Sequence, residues 1–373
     1  MSDIFDTTSI SGMKLRNRLV RSATWEGMCE ADGRPTKKLA NLYRTLARGR
    51  VGLIISSYTF VRPDGKQMRG QMGIHTDDFA QEMKALSAAV HEEGGVIAMQ
   101  LVHAGGLASP PAGEKCLAPS AVESVHYSAV PREMSQGDID AIVDAFGAGA
   151  QRAKEYGFDG VQLHGAHGYL INQFLSPLTN RRSDGYGGTL ENRCRFLLEV
   201  YRRVRDAVGT GFPVMIKMNG SDFLPGGVVS DDAVYAAMAL DGEGIDAIEV
   251  SGGTAASGDQ SPVRQKIDRR EQEAYNLPLA VRIKSSVSCP VMVVGGLRSF
   301  DLAREIIQKQ EADYVSLARP FIREPWLAKR WEEGDTARAR CISCSGCFKP
   351  GLKEGGIYCV VDKLEGESKG EAL

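Results

Sequence analysis

Long hydrophobic runs are missing from this sequence of 373 residues. Its first residues, MSDIFDTTSISGMKLRNRL, contain no apolar stretch of signal-peptide length, and no later segment approaches the roughly 20 apolar residues of a membrane span. We therefore predict a cytoplasmic protein without a membrane partner. An excess of charge of one sign is missing too, since 45 basic residues face 47 acidic ones, so the composition gives no reason to expect a nucleic-acid partner.

Cysteine is too sparse over most of the chain for a disulfide framework of the kind found in small secreted domains. Four of the eight cysteines are scattered, at positions 29, 116, 194 and 289, and are typical of small buried hydrophobic residues. The other four lie together near the C-terminus, at Cys341, Cys344, Cys347 and Cys359. Four clustered thiolates bind zinc or an iron–sulfur cluster, and spacing alone does not choose between these or exclude a metal-free relic.

Short apolar runs alternate with helix-period segments from residue 18 onward, which is the pattern of repeated βα units around a parallel sheet. The predicted strands are Arg18–Thr24, Val51–Ser56, Val96–Leu101, Gly160–Leu163, Val214–Met218, Ala247–Val250, Val291–Val294 and Tyr314–Leu317. The predicted helices are Lys37–Arg48, Asp78–Glu92, Gln136–Tyr156, Leu190–Val208, Asp231–Asp241, Gln272–Ser285 and Phe300–Gln308.

Eight parallel strands with intervening helices close most naturally into a (β/α)8 TIM barrel, an α/β fold. We predict this barrel for residues 1–335 and a short cysteine-cluster extension packed on it for residues 336–373. A doubly wound open sheet is the alternative, but no GxGxxG follows a strand here. The long connection from His103 to Arg132, rich in Gly, Pro, Ala and Ser, is interpreted as a lid or substrate wall, with a flexible surface insertion as the alternative.

Two imidazoles and a phenol follow one predicted strand without a spacer, in the segment DGVQLHGAHGY. His164 and His167 can hold a carbonyl oxygen while Tyr169 donates a proton nearby, since imidazole titrates near neutrality and a phenol keeps its proton until about pH 10. The segment therefore indicates carbonyl activation. The alternative is a structural role or part of a metal site, although no acidic or thiol ligand follows at metal spacing.

Polar residues recur at the carboxyl ends of the other predicted strands, where active sites of this barrel lie. Gln100 and Lys217 stand inside otherwise apolar strands, where a buried amide or ammonium needs a partner that a polar cofactor would supply. A core salt bridge from Lys217, with Glu249 as the candidate partner, is the alternative.

The last two predicted strands end in a pattern typical of a phosphate site. Gly295 and Gly296 lead into a helix after the seventh strand, and Ala318 and Arg319 follow the eighth. The predicted site has a phosphate-binding end at one side and an amide and a cation toward the centre. This arrangement would suit a flat polar heterocycle that carries a phosphate tail. FMN fits this outline, because an amide can pair with its pyrimidine edge and a cation can stabilise negative charge near N1 and O2.

Several segments resemble the old yellow enzyme family of FMN-dependent ene-reductases: NRLVRSAT, GGVIAMQLVHAG, HGAHGYLINQFLSPLTNRRSDGYGGTLENR, and VVGGLRS with SLARPF. The resemblance covers nearly the whole chain. It implies an NAD(P)H:flavin oxidoreductase that reduces the activated C=C bond of an enone or enoate by ping-pong hydride transfer. It makes His164 and His167 the ligands of the activating carbonyl and Tyr169 the proton donor to the alkene.

The resemblance also implies the cofactor contacts, although the family commonly places arginine where Lys217 stands, and smaller residues often occupy the position of Trp25. The predicted flavin-binding residues are Ser22, Ala23, Thr24, Ser57, Gln100, His164, Lys217, Gly295, Gly296, Ala318 and Arg319.

A similar C-terminal cysteine set follows the barrel in two relatives of that family, trimethylamine dehydrogenase and 2,4-dienoyl-CoA reductase. The resemblance therefore favours a [4Fe-4S] cluster over zinc. Two further functions stay open: a dienoyl-CoA reductase or amine dehydrogenase that passes electrons through the cluster, and a non-catalytic redox or metal-binding protein. The sequence does not identify the alkene or the nucleotide preference, and it leaves a homo-oligomer open.

Overall fold

Strands and helices alternate along most of the chain in the computed structural model, which describes residues 2–110 and 113–369. The strands are β1 (Thr8–Ile10), β2 (Met13–Leu15), β3 (Leu19–Arg21), β4 (Leu53–Phe60), β5 (Ile97–Val102), β6 (Leu117–Ala118), β7 (Arg132–Glu133), β8 (Gly160–Gly165), β9 (Val214–Asn219), β10 (Ala247–Ser251), β11 (Val291–Val294) and β12 (Tyr314–Leu317). The helices are α1 (Lys37–Arg48), α2 (Ala80–His91), α3 (Gln136–Glu155), α4 (Leu170–Leu175), α5 (Leu190–Val208), α6 (Ser230–Gly242), α7 (Leu277–Lys284), α8 (Phe300–Gln308), α9 (Arg319–Arg323), α10 (Leu327–Glu332), α11 (Phe348–Lys353) and α12 (Val360–Lys369).

Eight of these strands form a closed barrel in the order β10-β11-β12-β3-β4-β5-β8-β9, and every pair in it is parallel. Nearly all of their residues are buried, because helices cover the outside while side chains fill the inside. The predicted (β/α)8 barrel is thereby confirmed. Its closure brings the carboxyl ends of all eight strands to one rim, where a single site can draw on all of them.

The antiparallel hairpin β1–β2, which the sequence reading did not predict, packs against the amino-terminal end of the barrel. Ser11 and Gly12 both have positive φ, as a two-residue hairpin turn requires. Ile10 and Leu15 of the hairpin belong to the same buried cluster as inward-facing strand residues such as Met215. The hairpin therefore adds to the apolar lower half of the barrel and leaves the polar residues in the upper half.

The helices begin where the sequence supplies caps. The side chains of Thr36 and Thr189 accept from backbone N–H groups of α1 and α5, and Ser135 forms a capping box with Asp138 at the start of α3. One predicted helix is shorter than expected. It begins at Leu277 rather than Gln272, because the proline that follows lacks an N–H and fits only in the first turn of a helix.

The C-terminal extension lies against the rim formed by β11 and β12. The Ala339 N–H donates to the carbonyl of Arg298 at 2.9 Å, and the side chain of Phe348 packs against the main core. The boundary predicted after residue 335 stays a prediction. No helix in the described ranges has the length and apolarity needed to cross a bilayer.

Candidate active site

A cavity of about 370 Å³ opens at the carboxyl ends of the barrel strands. That volume lies in the range of small-molecule and cofactor sites. Nine of the eleven predicted cofactor residues line it: Ser22, Ala23, Thr24, Gln100, His164, Lys217, Gly296, Ala318 and Arg319. His167 and Tyr169 line it too, so the three predicted catalytic side chains and the predicted cofactor contacts share one space.

Ser57 and Gly295 are not among the lining residues. The strand register of β4 against β5 shifts between Ile55 and Tyr58. Ser57 lies within this irregularity, and its N–H donates to the phenol oxygen of Tyr43 at 2.8 Å. Tyr58 faces the cavity in its place, since a β-bulge re-aims the side chains that follow it.

The two histidines form an edge-on pair, with ring centroids 5.1 Å apart. Burial and the neighbouring His167 and Lys217 lower the pKa of His164 well below its usual value, and burial with Lys217 lowers that of His167 to about 3. Both rings are therefore neutral at physiological pH. Because the Ala166 N–H donates to Nδ1 of His164, the proton of that ring lies on Nε2 and is free to be donated.

His167 is held in place by its backbone and by its ring. Its φ of 63° is in the left-handed region, which is uncommon for a residue with a Cβ and costs energy. Its N–H donates to Oδ1 of Asn219 at 3.2 Å, and its Nε2 lies 2.7 Å from the hydroxyl of Ser251. These contacts offset the strain and fix the direction in which the ring points.

The phenol of Tyr169 lies beside His164, with ring centroids 4.6 Å apart. Its hydroxyl donates to Oε1 of Gln67 at 2.8 Å, and Tyr58 donates to the same oxygen at 3.1 Å. Burial raises the pKa of Tyr169 to about 12, and the contacts with Tyr58 and Gln67 lower it in part. Tyr169 therefore carries a proton at neutral pH and can act as an acid.

A line of hydrogen bonds runs through the barrel interior at the base of the cavity. Gln100 donates to Gln162 at 2.7 Å, and Gln162 donates to Glu249 at 2.9 Å. Lys217 Nζ lies 3.3 Å from the same carboxylate oxygen and donates to the hydroxyl of Ser22 at 2.8 Å. The salt bridge with Glu249 considered from sequence is thus present, and Lys217 still faces the cavity.

The predicted phosphate end combines a glycine, a buried hydroxyl and a cation. A Cβ on Gly296 would lie 2.9 Å from the ring of Tyr275, so only glycine fits this approach. Ser316 lines the cavity, and its buried Oγ has no hydrogen-bond partner among the described residues. Arg319 donates to the carbonyl of Ser343 and to a hydroxyl of the cysteine loop, at 3.2 and 2.9 Å. An orphaned hydroxyl and a guanidinium that line the same cavity fit a bound phosphate.

The outer wall of the cavity consists of segments that were not predicted from the sequence to line it. Pro262, Val263 and Tyr275 come from the loop after β10, and Phe348 and Leu352 come from α11 in the extension. No residue in the described parts of the loop from His103 to Arg132 lines the cavity, so the structure gives the substrate-wall interpretation no support, and the lid stays a prediction.

The four C-terminal cysteines lie around one narrow cavity on the other side of Arg319. Yet no three His, Cys, Asp or Glu residues within 2–110 and 113–369 are placed to hold one metal ion. Thiolates on a single zinc lie at most about 4.6 Å apart, twice the Zn–S bond, whereas a four-iron cluster holds its thiolates at separate corners. The thiols share a site, but not in single-ion geometry.

Sequence reasoning missed Tyr58 and Gln67, which contact the catalytic candidates. Ser251 is one of the polar residues predicted at the carboxyl ends of the strands, but its contact with His167 was not predicted. Tyr58 and Gln67 gave no such signal. The first reaches the cavity through a strand irregularity, and the second lies in a loop whose path depends on tertiary packing.

A parallel eight-stranded barrel whose carboxyl rim holds a cavity with polar side chains at its base is found in TIM-barrel flavoenzymes, and comparison with known proteins agrees. Residues 3–337 match the model of the NADH:flavin oxidoreductase / NADH oxidase family. The chain is 37% identical over 370 residues to an NADH oxidase of Thermoanaerobacter brockii, covering 98% of this chain and 56% of that protein. It is 38% identical over 324 residues to an NADPH dehydrogenase of Geobacillus sp. (strain WCH70), covering 87% of this chain and 92% of that protein.

Solved structures show the same relationship. Morphinone reductase in complex with tetrahydroNAD superposes with a TM-score of 0.78 at 28% identity, covering 95% of this chain and 96% of that one. A 2-naphthoyl-CoA reductase in complex with 2-naphthoyl-CoA superposes with a TM-score of 0.88 at 26% identity, covering 96% of this chain and 56% of that one.

The chain belongs to the NADH:flavin oxidoreductase / NADH oxidase family, and the resemblance to old yellow enzymes is confirmed. FMN and NAD(P)H are the cofactors of this class. The chain spans 56% and 54% of the lengths of two relatives, the NADH oxidase and a metal reductase of Desulforamulus reducens.

Proposed function

We propose that this protein uses NAD(P)H to reduce the activated C=C bond of an α,β-unsaturated carbonyl compound. The observation that carries the proposal is the arrangement of His164, His167 and Tyr169 around one cavity that also contains Gln100 and Lys217. Bound FMN would supply the hydride chemistry, accepting a hydride from NAD(P)H and transferring it to the β-carbon of the alkene.

The side chains of this chain would bind and polarise the substrate. His164 offers its Nε2 proton to the carbonyl oxygen, and His167, held by Ser251, completes the pair. Both imidazoles are neutral and carry one N–H each, so His167 would donate from Nδ1 while its Nε2 accepts from the Ser251 hydroxyl. Tyr169 then protonates the α-carbon. Its raised pKa keeps the phenol protonated until negative charge develops on that carbon.

The apolar outer wall supports an organic substrate of modest size. Val263 and Leu352 present aliphatic side chains at the mouth, and Phe348 lies beside them. This wall is consistent with a small-molecule enone or enoate, the substrate class expected from sequence. The oligomeric state and the cytoplasmic location stay predictions.

A CoA thioester is the second candidate substrate. The superposition on 2-naphthoyl-CoA reductase covers 96% of this chain, and a thioester also activates its double bond through a carbonyl. The two candidates share the histidine pair and differ in what lies outside the cavity mouth.

We also propose that the four cysteines carry a [4Fe-4S] cluster. All four line one cavity, and Arg319 separates that cavity from the site described above. The sequence resemblance favours the cluster, and zinc stays the alternative occupant of the same four thiols.

Product analysis tests the proposed reaction. The FMN-loaded protein is incubated anaerobically with NADH or NADPH and 2-cyclohexenone, and the products are separated by gas chromatography. Cyclohexanone is expected, because the histidines bind the carbonyl while the double bond is reduced. Formation of 2-cyclohexenol, or no turnover of this enone or of crotonyl-CoA, would contradict the proposal.

A further inference from the structure

Glu249 is a buried carboxylate to which no catalytic or binding role has yet been assigned. Its side chain is inaccessible to solvent, and its Oε1 has no hydrogen-bond partner among the described residues. Burying a charge with one oxygen unsatisfied is costly, and a buried ion pair often contributes little net stability. Stability alone therefore gives a weak reason for a carboxylate at this position.

The contacts of Glu249 determine how the side-chain amides of Gln162 and Gln100 are oriented. A carboxylate can only accept, so Gln162 must present its NH2 group to Glu249, at 2.9 Å. The oxygen of Gln162 then faces Gln100 and accepts from its NH2 group at 2.7 Å. One amide hydrogen of Gln100 is used in this way, and its oxygen is left as the acceptor available to the cavity.

The same carboxylate sets the charge environment of Lys217. Burial lowers the pKa of Lys217, and the nearby carboxylate of Glu249, 3.3 Å away, opposes this effect. Lys217 and Glu249 are directly opposite each other in the β9–β10 register. Glu249 therefore favours the ammonium form of Lys217 and also balances part of its charge.

We propose that Glu249 is a positioning residue that fixes the acceptor and donor pattern offered to the pyrimidine edge of FMN and moderates the positive field there. With FMN bound, Gln100 would offer its oxygen to the pyrimidine edge, and Lys217 would offer its ammonium to the negative charge that develops there on reduction. This inference needs FMN to bind in the cavity but does not depend on which substrate is reduced.

Two quantities separate the two parts of this role. The dissociation constant of FMN, measured by quenching of its fluorescence on titration with apoprotein, reports the hydrogen-bond pattern. The reduction potential of bound FMN, measured spectroelectrochemically at pH 6, reports the field. Neither measurement uses an alkene, so failure to turn over enones would leave this test intact.

Glu249→Gln should change both quantities. It should raise the dissociation constant about tenfold, because a neutral amide no longer forces the orientation of Gln162 and Gln100. It should also raise the ratio of reduced to oxidised flavin at a fixed potential by about tenfold, roughly 30 mV for a two-electron couple, since the charge of Lys217 is no longer balanced.

Three further variants make the test specific. Gln162→Met breaks the amide line but keeps the ion pair, so it should weaken FMN binding without moving the potential. Glu249→Asp keeps the negative charge, but its shorter side chain no longer reaches Gln162. It should therefore also weaken FMN binding without moving the reduction potential. Asp246→Asn removes a carboxylate that is paired with Arg205 at the amino-terminal end of the barrel, away from the cavity, and should change neither quantity.

Unchanged affinity and unchanged or lowered potential in a folded Glu249→Gln protein would overturn the inference. If that variant does not fold, an unaltered FMN affinity of the Gln162→Met protein would overturn the inference instead. A wild-type protein that binds no FMN would overturn it as well.

Discussion

Tyr58 and Tyr169 stack with their ring centroids 5.6 Å apart and donate to the same oxygen of Gln67. The phenol expected to protonate the substrate is therefore held by a second phenol and an amide. When Tyr169 gives up its proton, its oxygen becomes an acceptor within reach of the Tyr58 hydroxyl. This pairing would stabilise the developing phenolate in a site where burial opposes it.

Tyr169→Phe should slow reoxidation of the reduced protein by an enone by about 10²- to 10⁴-fold, the usual contribution of a general acid. Flavin reduction by NAD(P)H needs no proton from this phenol and should keep its rate. Stopped-flow absorbance of the two half-reactions measures each rate separately. Equal slowing of both would argue against a proton-donor role.

Tyr58→Phe should slow the same alkene step by about tenfold, because one hydrogen bond to the Tyr169 oxygen is lost. The effect should disappear when Tyr169 is already Phe, since the two phenols act as one unit. Tyr201→Phe is a matched control, because that buried phenol donates to a backbone carbonyl in a helix contact away from the cavity. Additive effects of Tyr58→Phe and Tyr169→Phe would exclude the coupling.

The lowered pKa of His167 predicts a specific dependence of stability on pH. The unfolded chain binds a proton on this histidine below about pH 6.5, whereas the folded protein does not until about pH 3. The free energy of unfolding should therefore fall as pH drops through this window, by about 1.4 kcal/mol per pH unit from this one group. Stability is fully retained above pH 6.5.

Urea unfolding of the apoprotein at pH 7.5, 6.0 and 5.0 measures this dependence. The His167→Asn variant removes one titrating group and should lose stability less steeply than the wild type. All other ionisable groups are common to the two proteins, so the difference between their curves isolates the histidine. Parallel curves would show that His167 is not held neutral.

The four cysteines predict a defined metal content. Protein purified without oxygen should contain about four iron atoms and four acid-labile sulfides per chain, the composition of one [4Fe-4S] cluster. Cys344→Ser should abolish this content, while Cys194→Ser, a buried cysteine of helix α5, should leave it unchanged. Stoichiometric zinc without sulfide would overturn the cluster assignment.

The sequence predicted the barrel well because its strands are apolar on both faces and its helices carry clear periodicity and caps. Gln100, His164 and Lys217 were found for the same reason, since polar residues at the ends of apolar strands are conspicuous. The outer wall could not be found in this way. Phe348 and Leu352 reach the cavity from the C-terminal extension, and local sequence does not encode where a distant segment packs.

Ser57 shows a second limit. It directly follows the predicted strand Val51–Ser56 and was therefore expected at the cavity, but the irregular register beside Tyr58 directs the phenol there instead. A bulge depends on the pairing of two strands, so the sequence of one strand does not reveal it.

An anaerobic visible spectrum, followed by titration with NADH and then with 2-cyclohexenone, shows whether a bound flavin carries hydride from NADH to an enone. The flavin band should bleach on addition of NADH and return on addition of the enone, which would establish the cofactor and the reaction class together. A flavin that is reduced by NADH but stays reduced in the presence of excess enone would contradict the proposed reaction. A colourless protein that binds no added FMN would contradict the whole account of the site.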